Sequence, residues 1–160
     1  MAIDRQFLRN ANLFPAVKLV LEKFLNRYDT IREATLFRQA AHTAKTTSAT
    51  LTAAELLTGI LTANQGGAAA ATYTLPLATA LETALLAINP DLAVGDAFNF
   101  SLTNISIAAA EDATIATNTG WTLVGKMLVE SNEATALVGP QGLFTVRRTA
   151  ANAYTLYRIA

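Results

Sequence analysis

Phe98, Phe100 and Leu102 alternate with Asn99, Ser101 and Thr103, and short stretches of this kind recur through the last two thirds of the chain. A period of two puts successive side chains on opposite faces of a pleated strand. Strands are therefore predicted at residues 71–75, which stop before Pro76, and again at 113–117, 121–125, 126–130, 143–149 and 154–159. Asn118-Thr119-Gly120 and Ala151-Asn152 supply turns. Past Leu102 the apolar parity shifts to Ile105 and Ile107, which predicts a β-bulge near Thr103-Asn104. Short strands at this spacing predict an antiparallel β-sandwich or barrel-like body.

Two short helices are expected within that body. Thr52-Ala53-Ala54-Glu55 has the form of a capping box, in which Thr and Glu satisfy each other's free backbone N–H groups, and Gly59 is placed to close the helix. Thr79-Ala80-Leu81-Glu82 repeats the pattern ahead of Leu85 and Leu86, with Pro90 as the limit. Gly66-Gly67 marks a loop between them.

The first 45 residues differ from the rest. They carry eight basic and four acidic residues, a net of +4, whereas residues 46–160 carry four basic and eight acidic residues, a net of −4. The overall charge of zero hides a basic segment joined to an acidic body. The polar stretch Lys45-Thr46-Thr47-Ser48 reads as a linker, which divides the chain into a partly helical arm at 1–47 and a β-rich body at 48–160. Pro15 suits a first helical position. Val17, Val20, Leu21, Phe24, Leu25 and Tyr28 follow with helical spacing, one apolar stripe on a helix of about 14 residues. Thr30 and Glu33 form another capping box, opening a second helix through Leu36, Phe37 and Ala40. Two short helices enclose no core, so the stripe lies either on its own body or on another chain. Arg5, Arg9, Val17, Lys18, Val20, Leu21, Phe24, Leu25 and Tyr28 are the expected partner-binding residues.

Composition narrows the function classes. Only 15% of residues are charged, and much of the 52% hydrophobic content is Ala, about a fifth of the chain, with Thr near a seventh. No dense basic surface exists for nucleic acid. No apolar run approaches the roughly 20 residues that span a bilayer. The start MAIDRQFLRNANLF lacks the apolar block of a signal peptide, which points to synthesis in a cytoplasm. Small residues and little charge suit close contacts between subunits, so a homo-oligomer, a closed trimer, is expected.

Candidate chemistry is sparse. Cysteine is absent, and His42, the single imidazole, has no G-x-S-x-G serine to serve. Glu111-Asp112 offers half of a paired-carboxylate site or a calcium ligand, but no calcium loop surrounds it and a solvated turn is the simpler reading; Asp96 reads likewise. Gly66-Gly67 lacks the following Lys-Ser/Thr of a phosphate loop. Arg147-Arg148 presents one guanidinium to each strand face, so one pairs with an acid and the other is exposed. Trp121, Phe144, Tyr154 and Tyr157 suit a core or a sugar platform. No catalytic residue, metal site or cofactor is expected.

The body also carries a resemblance. Leu51-Thr52-Ala53-Ala54-Glu55-Leu56-Leu57-Thr58-Gly59-Ile60-Leu61-Thr62, then Gly66-Gly67, Thr72-Tyr73-Thr74-Leu75-Pro76 and Gly120-Trp121-Thr122-Leu123 form its first part. Gly142-Leu143-Phe144-Thr145-Val146-Arg147-Arg148 and Tyr154-Thr155-Leu156-Tyr157-Arg158 complete it. In these stretches the chain resembles the capsid decoration (cement) proteins of tailed bacteriophages. The resemblance implies a non-enzymatic virion structural protein with a β-rich body, bound as a homotrimer to the capsid exterior and to the major capsid protein, with no nucleic-acid or membrane partner. The competing expectation is a receptor- or glycan-binding module of a phage fibre or appendage, with Trp121 and Asn118 as its best contact residues.

Overall fold

Thr52 and Glu55 form the capping box that their spacing predicts. The Glu55 N–H donates to Thr52 Oγ1 at 3.2 Å, and the Thr52 N–H donates to Glu55 Oε2 at 2.8 Å. They open helix α1, Ala53–Leu57. Gly59 follows at φ 77°, a left-handed conformation that glycine adopts without a Cβ clash, and turns the chain into the next strand. The computed structural model describes residues 41–67, 69–133 and 139–160. All lie within one unit running from Gln39 to Ala160. The expected arm helices therefore lie outside the described residues.

Helix α2, Ala78–Ile88, starts differently from the expectation. Its N-cap is Leu77, which has no capping side chain, and the Ala78 N–H donates instead to the Thr119 carbonyl at 3.1 Å. Thr79 and Glu82 form no capping box, because Glu82 is drawn away to Arg148 and Tyr154. The helix stops two residues short of Pro90.

Ten strands accompany these helices among the described residues: β1 (Thr43–Lys45), β2 (Ala49–Thr50), β3 (Ile60–Ala63), β4 (Ala71–Thr74), β5 (Ala97–Asn104), β6 (Ala113–Ala116), β7 (Trp121–Val124), β8 (Leu128–Val129), β9 (Gln141–Ala150) and β10 (Ala153–Arg158). They make a six-stranded sheet, β1-β3-β5-β9-β10-β7, and a four-stranded sheet, β2-β4-β6-β8. Among the described residues strand pairing begins at Thr43 and takes in Lys45, the first residue of the polar stretch that reads as a linker.

The expected antiparallel arrangement is corrected. Among the described residues five of the eight strand pairs are parallel. The cause is topological: from β1 to β6 the chain alternates between the two sheets. Each return to a sheet therefore re-enters it in the same direction, and the crossover that a parallel pair requires runs through the opposite sheet. The helices lie on the return legs, α1 between β2 and β3 and α2 between β4 and β5.

Inward side chains of both sheets share one core. Phe100 and Phe144, opposite each other on β5 and β9, stack with ring centroids 5.2 Å apart. Trp121 and Tyr154, opposite each other on β7 and β10, lie at 5.5 Å. Such pairs contribute roughly 0.5–1.5 kcal/mol beyond their buried area. The bulge expected at Thr103-Asn104 is also corrected. Strand β5 keeps one parity throughout, with Phe100, Leu102 and Asn104 buried and Ser106 continuing the row. Ile105 and Ile107 are 47% and 79% exposed, so polar residues hold the inward positions and isoleucines the outward ones.

Candidate functional site

Arg147 and Arg148 divide as strand geometry requires. Arg147 points outward and is exposed, while Arg148 points inward and meets Glu82 on α2. Arg148 Nε lies 3.1 and 3.2 Å from the two Glu82 carboxylate oxygens, Nη2 also donates to that carboxylate, and Nη1 donates to the Leu92 carbonyl at 3.2 Å. The buried Tyr154 hydroxyl donates to the same carboxylate. The Arg148 hydrogen bonds, with that of Tyr154, hold the Glu82 carboxyl below the ordinary carboxylate range despite its burial. Burial, reinforced by Glu82, pushes the Tyr154 hydroxyl above the usual phenol range.

Beside this triad opens a cleft of about 270 Å³ between the end of α2 and strands β5, β9 and β10. Leu85, Ile88, Leu92, Phe98 and Val146 give it an apolar lining, and Asn89, Asp96, Arg148 and Tyr154 bring polar groups to it. In the triad beside it, the Glu82 carboxyl and the Tyr154 phenol are displaced away from neutrality in opposite directions, so neither is poised to transfer a proton at pH 7. The arrangement ties helix to sheet and leaves an apolar hollow.

The outer face of the six-stranded sheet has a different character. Register places Ile159, Leu143, Ser101 and Ile60 in one row across β10, β9, β5 and β3. Tyr157, Thr145 and Asn99 form the next row, with the Thr145 hydroxyl donating to Asn99 Oδ1 at 2.7 Å. A shallow depression of about 370 Å³ lies against Ser101, Thr103, Gln141 and Leu143. Arg147 is the one charged side chain at the outward strand positions of this sheet among the described residues.

Of the residues singled out from sequence, Arg5, Arg9, Val17, Lys18, Val20, Leu21, Phe24, Leu25 and Tyr28 lie outside the described residues. His42 is exposed just before β1. Trp121 is buried, with Nε1 donating to the Pro76 carbonyl at 2.7 Å, and Asn118 Nδ2 donates to the Leu75 carbonyl at 2.8 Å. Asp96 stays in a turn, accepting from the Ala93 N–H.

The solvated turn expected at Glu111-Asp112 is corrected: Glu111 is 2% exposed and accepts from the Gly67 N–H. It belongs to a buried polar layer with Gln65, Asn104, Ser106 and Ser131, which the sequence reading missed. Asn104 ends the inward row of β5, and Gln65, Ser106, Glu111 and Ser131 continue the inward rows of β3, β5, β6 and β8 two residues beyond the strands. Asn104 Nδ2 donates to the Glu111 and Val129 carbonyls at 2.8 and 3.4 Å, and Asn104 Oδ1 accepts from the Ser106 N–H at 3.2 Å. The available signal was the unbroken parity from Phe100 to Ser106. Among the described residues no group of three or more His, Cys, Asp or Glu is placed to hold a metal ion.

Comparison of this chain with known protein families, with curated proteins and with solved structures finds no match.

Proposed function

We propose that the protein is a non-enzymatic virion structural protein that decorates a phage capsid and stabilises it by bridging neighbouring coat subunits. The outer face of the six-stranded sheet carries this reading. It presents Ile60, Leu143 and Ile159 among hydroxyl and amide side chains, with Arg147 as its one strand charge. Docking such a face removes apolar area from water and desolvates little charge. The sequence resemblance points the same way, and the apolar stripe from Val17 to Tyr28 offers a second contact element to the major capsid protein. The same scarcity of charge supports assembly as a homotrimer on the capsid exterior. The glycan-binding alternative draws less support, because Trp121 and Asn118 use their side-chain donors on backbone carbonyls.

Co-sedimentation of full-length protein with undecorated particles tests the proposal. Binding at one or more copies per coat subunit is expected. Leu143→Asp with Ile159→Asp should abolish it while leaving the circular dichroism spectrum intact. Binding at only a few copies per particle, or undiminished binding by that double variant, would overturn the reading. Removal of residues 1–40 should separately weaken decoration.

A further inference from the structure

We propose that the buried polar layer is a binding site for one ordered water molecule, held between Gln65 Nε2, Ser131 Oγ and the Glu111 carboxylate. Ser131 is fully buried and Gln65 is 5% exposed, yet among the described residues Ser131 Oγ and Gln65 Nε2 meet no hydrogen-bond partner. Buried polar groups are nearly always satisfied, and one left without a partner is costly. Two in one layer mark a place where something else completes the network.

Backbone contacts bring both residues to Ser106 and the Glu111-Asp112 pair. Ala113 pairs with Val129 across β6 and β8, so two residues further along the ladder Glu111 faces Ser131. The Ser131 N–H donates to Asp112 Oδ1 at 3.0 Å, and the Asn132 N–H donates to the Ser106 carbonyl at 2.6 Å. These contacts fix Ser131 between Glu111 and Ser106. Gln65 reaches Ser106 from the other side: its N–H donates to Ser106 Oγ at 2.9 Å, and its Oε1 accepts from the same hydroxyl. The Glu111 carboxylate reaches the same layer, where its Oε1 accepts from the Gly67 N–H.

The donor set identifies the ligand. Ser106 Oγ receives the Gln65 N–H and gives its own hydrogen to Oε1, which turns Nε2 and its hydrogens toward the site. Those hydrogens repel a cation and call for an acceptor. Glu111 calls for a donor, and the Ser131 hydroxyl serves as either. Water alone among small species offers two donors and two acceptors at this size, and buried waters typically make about three such bonds.

The test uses the full chain labelled with nitrogen-15. Cross-relaxation between the Gln65 side-chain amide protons and a long-lived water is expected, and it should vanish in Ser131→Val. Ser131→Ala should lower Tm by about 2–4 °C, because a bridging hydroxyl is lost. If the hydroxyl were idle, the same substitution would leave Tm unchanged or raise it. No water signal at Gln65 in the wild-type protein would overturn the proposal, and so would crystallographic density with oxygen distances of roughly 2.3–2.6 Å, the range of a bound calcium ion.

Discussion

The guanidinium of Arg148 on β9 spans both carboxylate oxygens of Glu82 on α2, at 3.1 and 3.2 Å from Nε. This pair fixes the helix to the sheet, and it makes stability depend on acid. The Glu82 carboxyl titrates below its ordinary value in the folded protein, held there first by Arg148. A depressed carboxyl contributes stability that is present above the unfolded value, about 4.3, and is lost as pH falls through the folded one. Tm should therefore drop more steeply in the wild type than in Glu82→Gln between pH 5 and pH 3, as read by thermal scans across that window. Parallel curves would show that the pair contributes nothing to the pH dependence.

The two Thr-x-x-Glu sequences should respond oppositely to the same substitution. Thr52→Ala removes an observed cap and should cost about 1 kcal/mol in denaturant unfolding. Thr79→Ala removes no cap, because that hydroxyl serves none, and alanine is the better helix former. Equal losses in the two variants would contradict the assigned helix starts.

Asn104 should tolerate little change. Its amide supplies hydrogens to the Glu111 and Val129 carbonyls, so Asn104→Ala strands buried acceptors at roughly 1–3 kcal/mol each. Its neighbours Ile105 and Ile107 face solvent, and Ile107→Ser should stay within about 0.5 kcal/mol. A larger loss at Ile107 than at Asn104 would reverse the parity assigned to β5.

Gly120 is the least replaceable of the turn glycines. It sits at φ 85°, and a Cβ there would lie 2.4 Å from Ala78 Cβ and 2.6 Å from the Asn152 carbonyl oxygen. Gly120→Ala should cost about 1–3 kcal/mol in backbone strain alone, with the clash added. Gly67→Ala, at φ 92° with nothing within 4 Å, carries only the strain. Equal melting temperatures for the two variants would refute this contrast.

What the sequence disclosed follows physical range. Alternation is local, so the strands at Ala71–Thr74, Ala113–Ala116 and Trp121–Val124 could be located from it, and the Thr52 cap from four residues. Strand direction was hidden, because it depends on which sheet each segment enters, and nothing near Ile60 or Ala97 encodes that. Thr79 and Glu82 carry the same pattern as Thr52 and Glu55. The difference lies in Arg148, sixty-six residues beyond Glu82. The polar layer escaped notice because Ile105 and Ile107 outrank Asn104 and Ser106 on hydrophobicity alone, whereas burial followed the pleat. A Thr-x-x-Glu glutamate becomes a cap or an ion-pair partner only once the distant strand is in place.

Among the described residues strand β7 touches its sheet only through β10, and β5 meets β9 only after residues 105–140 have been made. On a ribosome, β1 to β6 emerge first and can coil together, while the far edge of β5 stands with unpaired N–H and C=O groups and β7 has no sheet to join. Bare edges of this kind invite pairing with another nascent chain. The β9–β10 hairpin is therefore the step that ends this exposure, and its speed of arrival sets how long newly made chains are vulnerable to one another.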